Sequence, residues 1–315
     1  MGVEVAWPHR PLRGNARWGC FDAGPQMVDT HGQRGLMTDP NRDAGHLDEE
    51  PLTGDGVTRG IVRVGNTVRR PVRPFTLTVQ AYLAHLHTAG FSDAPVPLGL
   101  DDQGREVLSF VSGEVPREPL PPETAVEEVL IELARLIRRL HDAAQGWVPP
   151  ADATWGGIPG ARMTTSTPDG RPPLVSHRDY CPGNVVFRDD LPVALIDFDL
   201  AKPTTRVEDL ANALYWWAPL LHPKDRAPAF VDLDIPHRVA VFADAYGMTA
   251  PQRHALVPVA TRMIGRFHVN MRAAAETDPV FRRMWDGGVK DRLPRAEAWI
   301  REEGPAITAR LTAAG

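Results

Sequence analysis

The chain has 315 residues, 43% of them hydrophobic, and a formal net charge of −5, with a sequence pI near 6.1. That is enough to fill one large domain or two lobes, which excludes whole-chain disorder, and the charge offers no basic footprint for nucleic acid. Cys20 and Cys181 form no CxxC pair and no Cys/His cluster of metal-ligand spacing, no apolar run approaches the ~20 residues of a membrane-spanning helix, and no signal-peptide pattern is seen. A cytoplasmic protein without nucleic-acid or membrane partners is expected.

Residues 1–48 are rich in Gly, Pro, Arg and Asp, follow neither structural period, and are expected to be a disordered extension. From Pro51 short alternating segments read as an antiparallel meander: Val62 and Val64 share one face, and Gly65-Asn66 is a two-residue turn signal. A helix is predicted from about Leu77 to Ala89 on the spacing of Val79, Leu83 and Leu86, with Gly90 as its stop. Strands are predicted around Pro95 to Leu100 and Glu106 to Val111. After a Pro-rich loop, Glu123 to Ala144 is strongly amphipathic, with Val126, Val129, Leu130, Leu133, Leu136, Ile137 and Leu140 on one stripe. Helical patterns then dominate: Val207 to Trp217, Arg238 to Tyr246, Pro251 to Thr277 and Asp291 to Leu311. The expected class is α+β, with a small antiparallel β-rich lobe over residues 49–113 and a mainly helical lobe over residues 114–315.

The chemistry concentrates between His177 and Asp197. Val185-Val-Phe and Val193-Ala-Leu-Ile read as a hairpin, which places Asn184 and Asp197 at its open ends with Asp179 just upstream. Three oxygen-bearing side chains can then converge on one point. Phosphoryl transfer needs such a set, because the protein mainly positions reactants and neutralises charge on the transferring group. Mg²⁺ takes oxygen ligands, commonly one or two carboxylates with nucleotide phosphates. Asp197 suits that role, the Asn184 amide oxygen completes it without adding charge, and Asp179 would orient a substrate hydroxyl and take its proton. His177 is expected to hold the loop together.

His177-Arg-Asp-Tyr-Cys-Pro-Gly-Asn184, then Ile196-Asp-Phe-Asp199, then Arg206-Val-Glu-Asp-Leu-Ala211 resembles the aminoglycoside phosphotransferase family. The resemblance implies a bilobal protein-kinase-like fold that uses ATP and Mg²⁺ on a small-molecule hydroxyl acceptor: an aminoglycoside or other antibiotic, a sugar or an amino alcohol. By it Asp179 matches the catalytic aspartate, Asn184 and Asp197 the metal ligands, and Asp209 a structural aspartate. ATP is expected between the lobes, under a hairpin containing Gly54 and Gly56, with adenine contacts from the backbone of Ser109 and Val111. Arg69 or Arg70 stands where a phosphate-binding lysine is typical. The helix that should supply its glutamate partner offers only Gln80, so that ion pair is expected to be absent. Tyr215-Trp216-Trp217 reads either as a cation-binding wall or as core, and Asp225, Asp232, Asp234 and Asp244 either as acceptor contacts or as solvated surface.

Two other readings compete. A protein kinase is disfavoured, because the metal motif is Asp197-Phe-Asp199 rather than Asp-Phe-Gly, and only eight residues separate Asp197 from Arg206. A non-catalytic nucleotide- or ligand-binding relative ranks second, favoured by the missing Lys and Glu and opposed by the intact Asp179, Asn184 and Asp197.

Overall fold

The computed structural model describes residues 49–52, 60–161 and 174–313. The expected N-terminal extension, Gly54 and Gly56 lie outside them. Strands β1 (Glu49–Pro51), β2 (Val62–Val64) and β3 (Thr67–Arg70) form the meander that alternation predicts, and Gly65 takes the positive φ of 59° that its turn requires. Helix α1 (Thr76–Thr88) follows, then β4 (Pro97–Leu100) and β5 (Glu106–Ser109). These strands make one antiparallel sheet in the order β1-β2-β3-β5-β4. Helix α1 buries Val79, Tyr82, Leu83 and Leu86, and the Tyr82 hydroxyl donates to Val175 O at 2.8 Å, tying the helix to the following lobe.

The chain passes from β5 into that lobe through Gly113, whose φ of 139° suits only glycine and whose Cβ would collide with Val186 and Phe187. Just beyond, Glu114 and Phe187 exchange backbone hydrogen bonds of 3.0 and 2.7 Å, which clips the connection onto the hairpin. The single helix expected from Glu123 divides in the structure. A short 3₁₀ turn, Pro122–Ala125, ends at an extended Val126, and α2 (Glu127–Ala143) starts after it with its predicted stripe buried except for Val126, which the break leaves outside the helix and exposed.

Helix α2 packs against α4 (Ile235–Tyr246) and against the hairpin of β7 (Val185–Arg188) and β8 (Leu191–Leu195). Asp189 and Asp190 turn that hairpin at φ of 50° and 62°, the left-handed pair that a tight two-residue turn needs. β6 (Leu174–Ser176) pairs antiparallel with β9 (Lys202–Thr204). Helices α3 (Arg206–Trp217), α5 (Ala250–Thr277), α6 (Pro279–Met284) and α7 (Lys290–Thr312) complete the lobe, close to their predicted spans apart from α6. Among the described residues no helix is long and apolar enough to cross a membrane.

Candidate active site

The loop from Ser176 to Asn184 is held from below by one carboxylate. Asp209, in the first turn of α3, is fully buried and accepts from Ser176 Oγ at 2.7 Å, His141 Nε2 at 2.8 Å, the Arg178 backbone N–H at 3.2 Å and the Tyr180 hydroxyl. Burial alone would raise its pKa, but His141, Arg178 and Tyr180 hold it below the usual carboxylate range. Arg178 sits at a left-handed φ of 67°, the kink that carries the chain from β6 towards Asp179. The Trp217 indole N–H closes on Tyr180 O at 2.6 Å, so α3 grips the loop at both ends.

His177 is fully buried, with its ring against Tyr180 and Phe198. The Asp179 N–H donates to its Nδ1 at 3.2 Å, so Nε2 carries the proton and donates to Ile196 O at 2.8 Å. One neutral tautomer satisfies both contacts, and burial pushes the imidazole pKa down in agreement. Asn184 ends a short 3₁₀ turn, and its amide Nδ2 donates to Asp179 Oδ2 at 3.0 Å and Asp179 O at 3.1 Å. In this orientation its Oδ1 is left for another partner. Its backbone O accepts from Ile196 N–H at 3.0 Å, which draws the two ends of the hairpin together beside Asp197. Asp197 has left-handed φ and ψ of 61° and 71°, a strained conformation of the kind that collects at functional sites.

Arg70 reaches this cluster from β3. Its Nη1 lies 3.5 Å from Asp197 Oδ1 and its Nη2 2.7 Å from Asp199 Oδ1. Arg69 points elsewhere, pairing with Asp101 at 3.2 Å, because adjacent strand residues face opposite ways. The expected absence of a glutamate partner is corrected. Helix α1 carries no acid, but Arg70 stands opposite Glu106 in the β3–β5 register, and its Nε meets Glu106 Oε2 at 2.5 Å. Gln80 takes a supporting place, donating to Glu106 Oε1 at 3.3 Å and to Gly99 O at 3.1 Å. Burial would lower the Arg70 pKa, yet Asp199, Glu106 and Asp197 outweigh it and raise it. Asp199 is pushed up to about 7 by burial and the charge of Asp197, against the pull of Arg70.

Other predicted residues fall as follows. The Ser109 N–H is bound to Val96 O at 2.9 Å, so that residue has only its carbonyl to offer a base, and Phe110 lies under the Arg63 guanidinium at 4.0 Å. Tyr215 and Trp217 are core, leaving Trp216 as the partly exposed ring of the three. Asp225 is buried, not solvated, and is held bidentately by Arg295 of α7 at 2.6 and 2.7 Å. Asp234 caps α4 through the His237 N–H, and Asp244 pairs with Arg253 at 2.6 Å.

Sequence reading missed the segment 147–161, which straps the lobes together. Thr154 donates from its N–H to Thr78 Oγ1 at 3.0 Å and from its hydroxyl to Pro74 O at 2.6 Å, while Gly156 lies so close to the Asp199 carbonyl that a Cβ would overlap it. Its Trp-Gly-Gly sequence was the available signal.

Among the described residues no group of three or more His, Cys, Asp or Glu has the arrangement of a self-sufficient metal site. One carboxylate, Asp197, beside one amide oxygen, Asn184, is a hard-oxygen pair that fits Mg²⁺ arriving with nucleotide phosphates, which supply the remaining ligands.

An antiparallel sheet carrying one helix, joined to a helical lobe with a kinked acidic loop at the junction, is the bilobal protein-kinase-like fold. Solved structures agree. A choline/ethanolamine kinase family protein from Mesorhizobium loti superposes with a TM-score of 0.55 at 16% identity, over 86% of this chain and 93% of that one. Aminoglycoside 2'-phosphotransferase-IIIa gives 0.51 at 12% identity, over 81% and 94%. At these identities they establish the fold alone. Residues 160–255 match the model of the phosphotransferase enzyme family, and a trifolitoxin immunity protein of Rhizobium leguminosarum bv. trifolii is 35% identical over 215 residues, 67% of this chain and 78% of that protein. The chain belongs to this phosphotransferase family.

Proposed function

We propose that the protein transfers the γ-phosphoryl group of ATP to a hydroxyl of a small molecule. The observation that carries this reading is the knot of Asp179, Asn184 and Asp197, closed by hydrogen bonds, with the buried Arg70 reaching into it. Asp179 accepts a hydrogen bond from the acceptor hydroxyl, orients it towards the γ-phosphorus, and takes its proton as the new O–P bond forms and ADP leaves. Arg70 binds the nucleotide phosphates, its planar fork replacing a lysine's point charge. Asn184 and Asp197 hold Mg²⁺, which supplies charge neutralisation for the phosphates. Val111 N–H and Ser109 O address the adenine edge. An immunity protein among the relatives favours an antibiotic or toxin as acceptor.

The test is ADP release by purified protein with ATP and Mg²⁺ across aminoglycosides, macrolides, sugars and amino alcohols. Asp179→Asn should lower turnover about 10²- to 10⁴-fold with little loss of stability. No acceptor-dependent ADP release, or equal release by the variant, refutes the proposal. A second reading, binding without transfer, is favoured by the engagement of Arg70 with Asp197 and Asp199. It predicts nucleotide-dependent thermal stabilisation with no turnover for any acceptor.

A further inference from the structure

A second charged cluster starts from Arg178 in the loop carrying Asp179, outside the knot just described. β6 runs into Arg178, and β9 lies against it with Lys202 opposite Ser176. Arg178 Nη1 donates to Thr204 Oγ1 at 3.0 Å, and its Nη2 meets Glu208 Oε1 at 2.9 Å. Arg266, from α5, ends on that same Glu208 oxygen at 2.5 Å. Guanidinium groups from a loop and a helix thus share one carboxylate, with the Lys202 ammonium on the strand beside them.

Their pairing is incomplete. Lys202 is half-buried, yet among the described residues its ammonium has neither a hydrogen bond nor an ion pair, and Arg178 Nε is buried without an acceptor. Burial, then Arg178 and Arg266, lower the Lys202 pKa to about 8, and Glu208 only partly opposes them. Gly157 adds to the enclosure, since a Cβ there would stand 3.5 Å from Lys202 Nζ. Buried cations without partners are costly, and guanidinium forks suit planar or tetrahedral oxyanions. Arg266 keeps 46% of its side-chain surface exposed, so the cluster opens to solvent.

We propose that Arg178, Lys202 and Arg266 form a binding site for an oxyanion, the phosphate or carboxylate of a small molecule, with Glu208 holding the two guanidinium groups in place. The proposal does not depend on the phosphotransfer reading.

The test uses the full chain, inorganic phosphate as probe, and acetate as the carboxylate arm, each titrated by calorimetry at constant ionic strength with chloride as reference. Saturable binding is expected. Lys202→Met and Arg266→Gln should each weaken it about tenfold, the loss of one charge-assisted contact, while Arg301→Gln, on an exposed face of α7, leaves it unchanged. Circular dichroism checks that each variant is folded, and the exposed position of Arg266 makes its substitution the cleaner one. Preference for phosphate or acetate identifies the anion class. No saturable binding of either, or binding that survives Lys202→Met and Arg266→Gln, overturns the proposal.

Discussion

Asp199 and Asp209 lie on either side of β9, both carboxylates are largely out of water, and they are treated in opposite ways. Asp209 is surrounded by donors, and stays ionised with its pKa depressed. Asp199 shares one arginine with Asp197 and Glu106, and rises to about 7. The donor-rich side is a fixed platform for the loop from Ser176 to Asn184. The cleft side holds more negative charge than its one cation balances, a condition that suits a site built to receive a cation with a polyphosphate.

Removing the platform carboxylate should have the largest effect. Asp209→Ala strands Ser176, Tyr180, His141 and the Arg178 N–H, and should cost about 3 kcal/mol or more in denaturant-induced unfolding. A smaller loss would mean that the loop is held by other contacts, chiefly the Trp217 bond to Tyr180.

On the cleft side, Glu106→Gln should lower nucleotide affinity about tenfold by freeing Arg70 to collapse onto Asp197 and Asp199. Calorimetric titration with ATP decides this, and unchanged affinity would assign the holding of Arg70 to Asp199 alone.

Acidity probes both sides together. Burial pushes His141 and His177 below the ordinary histidine value, so the unfolded chain takes up their protons first as pH drops through about 6.5, and stability is lost on acidification. Asp199 works against them with one proton, because the folded protein keeps it protonated up to about 7 and the unfolded chain only below about 4. For these groups the two histidines outweigh the one carboxyl just below pH 6.5, so a net loss of stability on acidification is expected there, read from unfolding midpoints.

The smallest effect should come from Asp199→Asn, which mimics the protonated form. It changes stability near pH 5 by about 0.5 kcal/mol or less but steepens the acid slope, since the opposing proton is gone. An unchanged slope would show that Asp199 is ionised throughout.

Local patterns carried much of this into the sequence. The stripe of α2, the Gly65 turn and the hairpin from Val185 to Leu195 follow from periodicity and turn chemistry, and the convergence of Asp179, Asn184 and Asp197 follows from the hairpin. Contacts set by register or by distant segments were not legible. Glu106 replaces a helical glutamate only because β3 and β5 align it with Arg70, and its one visible trace was an acid heading an otherwise apolar strand. Asp225 looks like surface until α7 folds back with Arg295, and Arg266 is far along the chain from Arg178 and Lys202. β6 and β9 are too short for alternation to reveal, and each exists by pairing with the other.

Gly156 carries a lesson for mutational scanning. It makes no ionic contact and has no side chain, yet one added methyl group would press on the backbone of Asp199 and on the Phe75 ring. In a saturation library scored by activity it should rank among the least tolerant positions, beside residues that touch substrate. Intolerance there would report the clearance between a strap and a loop, and a reader ranking positions by sensitivity alone would mistake it for chemistry.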